Sequence, residues 1–253
     1  MSNIQQIPPA FAPANDCLKN KIILVTGAGE GIGRCAALHF ARHGATVILL
    51  GRTLAKLEEV YDAIEAEGYP AAALCPFDLK ETDPAAYQKV AESLEKNFGR
   101  LDGLLHNAGI LGSRNSIESY KPALWLEVMQ VNLNGAFLLT RALMPLLRKS
   151  PQASLLFTSS GVGREGRGHW GAYSVSKFAT EGLMQVLADE MENTSTVRVN
   201  SINPGATRTR MRAQAYPAEN PQQLPAADSL MPAYLYLMSN ASIGINGKSF
   251  DAR

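Results

Sequence analysis

Tyr173 and Lys177 are the two residues whose types and spacing most directly suggest chemistry. They lie four positions apart at the start of a segment with helical periodicity, which places the phenol and the ammonium group on one helix face. A nearby cation favours phenolate and lowers the pKa of a tyrosine from about 10 towards the working pH. The pair could therefore exchange a proton with an alcohol or a carbonyl group. The spacing alone is weak evidence, because a chain with several tyrosines can contain such a pair by chance.

Ser160 and Asn132 are two polar residues that could complete the same site. Ser160 ends a predicted strand, and the loop that follows could return its hydroxyl to Tyr173, where it would hold a substrate oxygen. Alternatively, Ser160 could simply cap the end of the strand without any role in catalysis. Asn132 lies inside an otherwise apolar helical segment, where a buried amide needs hydrogen-bond partners. It could order a water chain to Lys177, or it could make a purely structural hydrogen bond.

A glycine-rich turn, Thr26–Gly33, lies between the first predicted strand and the first predicted helix. Backbone amides and a helix N-terminus in that position can hold a pyrophosphate. Side chains at Gly27, Gly29 and Gly31 would keep the backbone away from the phosphates. A side chain at Gly33 would block the packing of helix on strand. The turn therefore predicts dinucleotide binding, and a turn without a ligand is the alternative.

A second G-x-G-x-x-G pattern, at Gly161, Gly163 and Gly166, also follows a predicted strand. Gly168 and Gly171 lie just beyond it and prevent a stable helix from opening at once, so no helix N-terminus would face a phosphate there. We therefore assign these glycines to a loop on the substrate side.

Arg52 follows the second predicted strand, where dinucleotide-binding proteins that use NAD carry an acidic residue. A guanidinium group can bind a 2′-phosphate through two hydrogen bonds, and Gly51 offers no carboxylate to repel that phosphate. The sequence thus predicts a preference for NADP(H) over NAD(H). Glu30 lies near the expected phosphate, although it could instead complement the positive end of the first helix.

Short apolar segments rich in β-branched residues alternate with longer segments of helical period, which is typical of repeated βαβ units. The predicted fold class is α/β, with a single Rossmann-type doubly wound parallel sheet flanked by helices. The predicted strands are Ile22–Thr26, Thr46–Leu50, Ala71–Pro76, Leu101–His106, Ala153–Ser159, Val197–Ile202 and Lys248–Phe250. The predicted helices are about Gly31–His43, Thr53–Glu67, Pro84–Phe98, Pro122–Lys149 and a segment opened by Tyr173.

Composition limits the organisation of the chain and its partners. We expect a flexible N-terminal arm over residues 1–17, one domain over residues 18–253, and a substrate lid at about residues 206–226. The net charge of +1 offers no field for nucleic acid or an anionic membrane, and no apolar run is long enough to span a bilayer. The three cysteines have neither Cys-x-x-Cys spacing nor a nearby histidine pair. No metal site is therefore predicted, and a cytoplasmic location is expected.

Taken together, these motifs resemble the classical short-chain dehydrogenase/reductase family over about residues 18–251. More narrowly, Val162–Glu190 and Pro204–Thr209 are similar to the bacterial YciK-type oxidoreductases. His106 departs from the family pattern, because many relatives have asparagine there, and it could alter local packing. The residues that carry the family resemblance are the Thr26–Gly33 turn, Asn107–Gly109, Asn132, Ser160, Tyr173, Lys177 and Pro204–Gly205.

The resemblance implies hydride transfer between a nicotinamide ring and a small carbonyl or alcohol substrate, with Asn132, Ser160, Tyr173 and Lys177 as the catalytic residues. It also implies a homodimer or homotetramer. Asp78 is expected to hold the adenine and Thr209 to contact the nicotinamide carboxamide. The full set of expected cofactor-binding residues is Gly27, Gly29, Gly31, Ile32, Gly33, Arg52, Asp78, Asn107, Ala108, Gly109, Tyr173, Lys177, Pro204, Gly205, Thr207 and Thr209.

Two other functions remain open at this point. One is an enoyl reductase, although relatives with that activity usually have a longer Tyr-to-Lys spacing. The other is an NADP(H)-binding sensor or scaffold protein without turnover, which would need no proton donor. The identity of the substrate is not encoded in any motif. Candidates for an apolar substrate pocket are Leu111, Val162, Trp170, Met211 and Tyr216, and candidates for contact with an acidic group are Arg164, Arg167 and Arg212.

Overall fold

A computed structural model of the chain describes residues 4–253. Within these residues, the centre of the molecule is an eight-stranded sheet in which all neighbouring strands are parallel. The strands are β1 (Ile4–Gln6), β2 (Ile22–Thr26), β3 (Thr46–Gly51), β4 (Ala73–Pro76), β5 (Gly103–His106), β6 (Ser154–Thr158), β7 (Arg198–Asn203) and β8 (Ser249–Asp251).

The spatial order of the strands is β1-β8-β7-β6-β5-β2-β3-β4. From β2 the chain winds outward through β3 to β4, then crosses back to place β5 on the other side of β2 and continues to β8. The winding direction therefore reverses between β2 and β5, where a crevice opens at the carboxyl ends of the strands. This order confirms the predicted doubly wound Rossmann-type sheet.

Eight α-helices flank the sheet in the described part of the chain. None of them combines the length and the apolar character that a membrane crossing requires. The helices are α1 (Gly31–Arg42), α2 (Leu54–Ala66), α3 (Pro84–Phe98), α4 (Pro122–Met129), α5 (Gly135–Arg148), α6 (Gly171–Glu192), α7 (Arg210–Ala215) and α8 (Met231–Met238).

The ends of α3 show why local sequence signals located this helix correctly. The Asp83 carboxylate accepts a hydrogen bond from the Ala85 N–H at 2.9 Å, and proline occupies the first helical position. At the other end, Gly99 adopts the left-handed conformation with φ of 75°. Both ends agree with the prediction.

The predicted helix over residues 122–149 is not continuous. A five-residue π-helical turn, Gln130–Asn134, separates α4 from α5. Such a turn inserts an extra residue into the helical ladder and often marks a functional site. Because the segment is apolar on several faces, hydrophobic periodicity could not reveal the interruption.

Sequence analysis also missed β1 and α8. β1 pairs in parallel with β8, so part of the expected arm is an edge strand of the sheet. Residues 1–3 of that arm lie outside the described residues, and the division into residues 1–17 and 18–253 stays a prediction. α8 is buried on nearly all sides, and an all-apolar helix shows no amphipathic period.

Two hydrophobic clusters pack against the two faces of the sheet. Ile23 and Val25 of β2 belong to the cluster that contains side chains of α1, α2 and α8. Leu24, between them, belongs to the cluster that contains side chains of α3, α5 and α6. This alternation follows from the two-residue period of a strand. The sheet is therefore covered on both faces, and the ends of its strands are left to form a site.

Gly33→Ala is expected to lower the free energy of unfolding in urea by about 1–3 kcal/mol. A Cβ at this position would lie 2.2 Å from the Gly27 carbonyl oxygen and 2.7 Å from Asn107 Nδ2, so α1 could not keep its position against β2. Gly166→Ala is the control, because a Cβ there would meet no atom within 4 Å. We expect the control to change stability by less than about 0.5 kcal/mol. Equal stability of Gly33→Ala and the wild type would contradict the packing argument.

Candidate active site

The glycine turn and the segment after β5 meet at the crevice between β2 and β5. The hydroxyl of Thr26, at the end of β2, accepts hydrogen bonds from the backbone N–H groups of Asn107 and Ala108, both at 3.0 Å. Gly27 and Gly31 adopt the left-handed backbone conformation, with φ of 67° and 57°. α1 begins at Gly31, which borders the crevice, so the positive end of this helix is available to an anion.

A cleft in two adjoining parts runs across this crevice. One part has a volume of about 360 Å³ and is bordered by Ser160, Tyr173 and Lys177. The other part has a volume of about 430 Å³ and is bordered by Arg52 and Asp78. Both parts share residues of the glycine turn and of the segment after β5. The cleft is thus elongated with two chemically different ends, a shape that suits a dinucleotide.

Ser160 and Tyr173 are neighbours at the first end of the cleft. Ser160 follows β6 in an extended conformation and borders the same part of the cleft as Tyr173, close enough for its hydroxyl to lower the pKa of the phenol. Tyr173 lies in the first turn of α6 and is buried. The loop after β6 therefore returns the serine to the tyrosine, as the sequence analysis expected. Two hydroxyl groups in this arrangement can hold one substrate oxygen.

The pKa of Tyr173 differs from the sequence-based expectation. Burial raises this pKa above the ordinary value of a tyrosine, and the nearby Ser160 hydroxyl partly opposes the rise. The expectation that Lys177 lowers the pKa is wrong for the protein alone, because the cost of desolvating a phenolate dominates. Lys177 Nζ lies 5.8 Å from the centre of the Tyr173 ring. The phenol is therefore protonated at neutral pH and is in the form that can donate a proton.

Lys177 borders the first end of the cleft, and its ammonium group contacts the end of β6. Its Nζ donates a hydrogen bond to the Thr158 carbonyl oxygen at 2.7 Å. Burial lowers the pKa of Lys177 to about 8, and the negative charge of Glu181 opposes this effect. A Cβ at Gly163 would lie 2.6 Å from Lys177 Cβ, so the loop after β6 packs directly on α6. The second glycine pattern therefore helps to position Lys177, and its first three residues, Gly161–Gly163, form a single 3₁₀ turn.

Asn132 occupies the π-helical turn and joins two elements beside Lys177. Its Oδ1 accepts a hydrogen bond from the Ile110 N–H at 2.8 Å, and its Nδ2 lies 3.0 Å from both the Ile110 carbonyl oxygen and Ser176 Oγ. A Cβ at Gly109 would lie 3.3 Å from Asn132 Oδ1 and 3.9 Å from Lys177 Nζ. Asn132 therefore makes structural hydrogen bonds and also lies close to Lys177. A structural role for Asn132 is thus compatible with the expected role in ordering a water chain to Lys177.

Arg52 and Asp78 border the second end of the cleft. Glu30, which also borders it, pairs with Lys56 at an Oε2–Nζ distance of 2.5 Å. The hydrogen bond from Lys56 lowers the pKa of Glu30, and the charges of Arg210 and Arg52 add smaller contributions. Glu30 is the N-cap residue of α1 but makes no side-chain cap hydrogen bond. Its negative charge is therefore balanced mainly by neighbouring cations.

Aromatic side chains form the outer wall of the first end of the cleft. The guanidinium carbon of Arg114 lies 4.6 Å from the centre of the Trp170 ring and 4.9 Å from that of Tyr216. Arg114 Nη1 also donates a hydrogen bond to the Ala215 carbonyl oxygen at 2.5 Å. Sequence analysis missed Arg114, because it lies in a loop without a motif and 101 positions before Ala215. The apolar pocket candidates all border this end: Leu111, Val162, Trp170, Met211 and Tyr216.

The three arginines expected to meet an acidic group have different surroundings. Arg167 and Arg212 border the cleft. Arg212 Nε lies 2.6 Å from a carboxylate oxygen of Glu219, which neutralises it. Arg164 is not on the cleft, and its Nη1 donates to Asp251 at 2.7 Å. The expectation is therefore wrong for Arg164, because acidic groups of the protein already pair with it.

The other residues expected to bind a cofactor fall into two groups. Gly33 lies beneath the turn, where it allows α1 to pack against β2. The remaining residues border the cleft and are Gly29, Ile32, Asn107, Ala108, Gly109, Pro204, Gly205, Thr207 and Thr209.

His106 is a buried neutral side chain outside the cleft. Its Nε2 lies 2.7 Å from Thr140 Oγ1, and its ring stacks on Phe157 with 4.9 Å between ring centres. Burial lowers the pKa of His106 to about 3. The residue that departs from the family pattern therefore serves the packing of β5 on α5 and β6.

The reversal of the sheet at the glycine turn, and the grouping of Ser160, Tyr173 and Lys177 beside it, define the class of protein. The sequence model of the short chain dehydrogenase family matches residues 21–220, and the chain belongs to this family. The protein is thus an oxidoreductase of the short-chain dehydrogenase/reductase type.

Individual relatives show which members of the family this chain is similar to. The uncharacterized oxidoreductase YciK of Escherichia coli K12 is 51% identical over 243 residues, which are 96% of each chain. The structure of a short chain dehydrogenase from Pseudomonas syringae is 53% identical with a TM-score of 0.95, covering 98% of this chain and 100% of that one. A Shigella flexneri structure complexed with NADP is 51% identical with a TM-score of 0.92, covering 94% and 99%. The resemblance to YciK-type oxidoreductases is confirmed.

Lys177 is expected to make stability rise with pH above about 8. Its pKa is 10.5 when unfolded and about 8 in the fold. Between these values the unfolded chain binds more protons, so the free energy of unfolding increases with pH, by roughly 3 kcal/mol in total. Urea unfolding of the cofactor-free wild type across this range should show the rise relative to Lys177→Met. Lys89→Met, a change at an exposed lysine, should behave like the wild type. Parallel pH curves for all three proteins would contradict the assignment.

Proposed function

We propose that the protein interconverts a carbonyl compound and the corresponding alcohol by hydride transfer with NADP(H). One observation carries this proposal: Ser160, Tyr173 and Lys177 border one end of a cleft whose other end is bordered by Arg52. The first end offers a proton donor, and the second offers a cation suited to a phosphate group. Hydride transfer with a phosphorylated dinucleotide requires both.

The choice of NADP(H) over NAD(H) rests on charge at the second end of the cleft. β3 ends in Gly51, Arg52 follows, and Glu30 is paired with Lys56. An additional phosphate would therefore meet at least one cation and no uncompensated acid at the end of β3. The NADP complex from Shigella flexneri and an NADPH complex from Escherichia coli CFT073, which is 52% identical to this chain, support the binding of NADP(H).

The bound nicotinamide supplies or accepts the hydride. In the reducing direction, the hydroxyls of Ser160 and Tyr173 hold the carbonyl oxygen, and Tyr173 transfers its phenolic proton to that oxygen. Burial keeps the phenol protonated until this moment. Lys177 then stabilises the phenolate electrostatically and holds a ribose hydroxyl. Asn132 supports the lysine from the π-helical turn and orders a water chain through which Tyr173 regains a proton.

Residues 206–226 form the proposed lid over the substrate. They contain α7 and a 3₁₀ turn, Pro221–Gln223. Arg114, which lies outside the lid, contacts it by donating a hydrogen bond to the Ala215 carbonyl oxygen and by packing its guanidinium group on the Tyr216 ring. Trp170 and Tyr216 give the pocket an aromatic wall, which favours a substrate with an apolar body. Arg167 is the arginine that we propose for contact with an acidic group.

We also propose a cytoplasmic homodimer or homotetramer that associates through the helices near Asn132 and Tyr173. Large apolar side chains on these helices are exposed, as at Phe137 of α5 and Val186 of α6. Exposed apolar surface of this kind marks interaction sites. We further propose that residues 18–253 form a single domain and that the protein has no nucleic-acid partner.

Tyr173→Phe is expected to lower kcat for a carbonyl substrate by about 10²–10⁴-fold, because the proton donor is lost while the ring is kept. The measurement is NADPH absorbance during screening of a diverse panel of carbonyl compounds, followed by kinetics on the best substrate. NADPH binding should weaken far less than kcat falls, because the other residues that border the cleft are kept. Tyr61→Phe, on α2 and away from the cleft, is the control and should retain wild-type kcat. Full turnover by Tyr173→Phe would overturn the assignment.

The same panel separates the other two functions. The panel is extended to enoyl compounds with NADPH and to alcohols with NADP⁺. If the cofactor binds tightly but none of these compounds changes the NADPH absorbance, the protein is a sensor or scaffold. If only enoyl compounds are reduced, it is an enoyl reductase.

Arg52→Ala is expected to weaken NADPH binding by about 10–100-fold, which is the loss of a charge-assisted hydrogen-bond pair. NADH affinity should change little, because NADH lacks the 2′-phosphate. Isothermal titration calorimetry of both nucleotides measures the effect. Arg42→Ala, at the far end of α1, is the control and should bind both as the wild type does. If wild-type protein binds NADH as tightly as NADPH, the preference is wrong.

A further inference from the structure

Cys35, His39 and Asp228 form a cluster on the side of α1 that faces the segment after the lid. Cys35 and His39 are four positions apart on α1, so they share one helix face. Asp228 belongs to a 3₁₀ turn, Ala227–Leu230, that precedes α8. One ligand atom from each residue lies within 4.8 Å of the other two. Thus a thiol, an imidazole and a carboxylate from two separate elements converge on one point.

We propose that Cys35, His39 and Asp228 bind a divalent zinc-type metal ion. Sulfur, nitrogen and oxygen donors of this kind are the protein ligands of Zn²⁺, whereas Mg²⁺ and Ca²⁺ take oxygen donors. Three protein ligands leave a fourth position for water. This proposal is independent of the redox function proposed above.

The distances suit tetrahedral coordination. His39 Nε2 lies 3.4 Å from Asp228 Oδ1. Two donors bound to zinc at 2.0–2.1 Å in a tetrahedron are separated by about 3.3 Å, and a sulfur and a nitrogen donor by about 3.6 Å. The imidazole and the carboxylate are therefore already at the spacing of two ligands. The largest donor separation in the cluster, 4.8 Å at most, requires a movement of only about 1 Å, which side-chain rotation supplies.

Burial and charge also suit a metal ion. Cys35 is half-buried, the His39 side chain is 22% exposed and that of Asp228 is 75% exposed, so an ion can enter from solvent. On binding, the Cys35 thiol proton leaves to solvent as the metal–sulfur bond forms. One thiolate and one carboxylate then balance the two positive charges of the ion.

The expectation of no metal site rested on spacing along the chain. Asp228 lies 189 positions after His39, so no local pattern could include it. Cys-x-x-x-His alone, at helical spacing, supplies only two donors. A bound ion would connect α1, whose N-terminus borders the cleft, to the turn that follows residues 206–226.

Titration of the chelator-treated, full-length protein with Co²⁺ tests this proposal. Co²⁺ takes the same donors as Zn²⁺, and its bond to thiolate produces a charge-transfer absorption band in the near ultraviolet. We expect one such site per chain, displacement of Co²⁺ by Zn²⁺, and a rise in Tm with Zn²⁺. Cys35→Ser should abolish the band, and Asp228→Asn should weaken affinity by about tenfold or more while keeping the band.

Cys17→Ser and Cys75→Ser are the matched controls, because these are the other two half-buried thiols and lie outside the cluster. Both should retain the band and the affinity of the wild type. Circular dichroism and urea unfolding establish that each variant is folded. Absence of the band in the wild type, or its persistence in Cys35→Ser, would overturn the proposal. The cluster would then be a hydrogen-bonded group only, in which Asp228 accepts from His39 and Cys35.

Discussion

The hydroxyl group of Thr26 joins the two halves of the molecule. β2 begins the half that winds out to β4, and β5 begins the half that winds out to β8. Where these strands part, the N–H groups of Asn107 and Ala108 have lost their strand partner, and the Thr26 hydroxyl accepts both. It can donate in turn to the Leu105 carbonyl oxygen at 3.3 Å. This one side chain thus satisfies the backbone at the point where the strands part and the cleft opens.

Desolvation is the second constraint, and it acts in opposite directions on the two groups that would move a proton. Burial favours the neutral form of each, so it raises the pKa of Tyr173 and lowers that of Lys177. The two values are thereby moved apart, because the pKa of Tyr173 rises above its ordinary value while that of Lys177 falls to about 8. The phenol therefore keeps its proton, and the lysine loses its proton more readily than the phenol does. His106, also buried, is neutral for the same reason, but its position beside Thr140 keeps it outside this proton transfer.

What the sequence predicted correctly was encoded locally. Asp83 and Gly99 identify the ends of α3, because a cap and a left-handed glycine act within one turn of the helix. The Thr26–Gly33 turn was predicted for a similar reason, because the strand, the glycines and the helix follow one another directly along the chain. Tyr173 and Lys177 were found through the i, i+4 period of α6.

What the sequence could not predict depends on residues that meet only in the folded chain. The pairing of Arg164 with Asp251, and the contact of Arg114 with Ala215, join positions that are 87 and 101 residues apart. The π-helical turn at Gln130–Asn134 contains neither glycine nor proline, so no residue in it marks an interruption of the helix. The pKa of Tyr173 also required the structure, because desolvation is set by everything packed around the phenol.

The edge strand β1 has a consequence for the order in which the molecule is built. Ile4 pairs with Ser249, so nearly the whole chain separates the two strands of this ladder. A ribosome releases β8 long after β1, and until then β1 lacks the partner with which it pairs in the sheet. Contacts of such long sequence separation form late, because the loop between them must first be ordered. Because each strand has only three residues, we expect this ladder to close last during folding and to be the first part of the sheet to open.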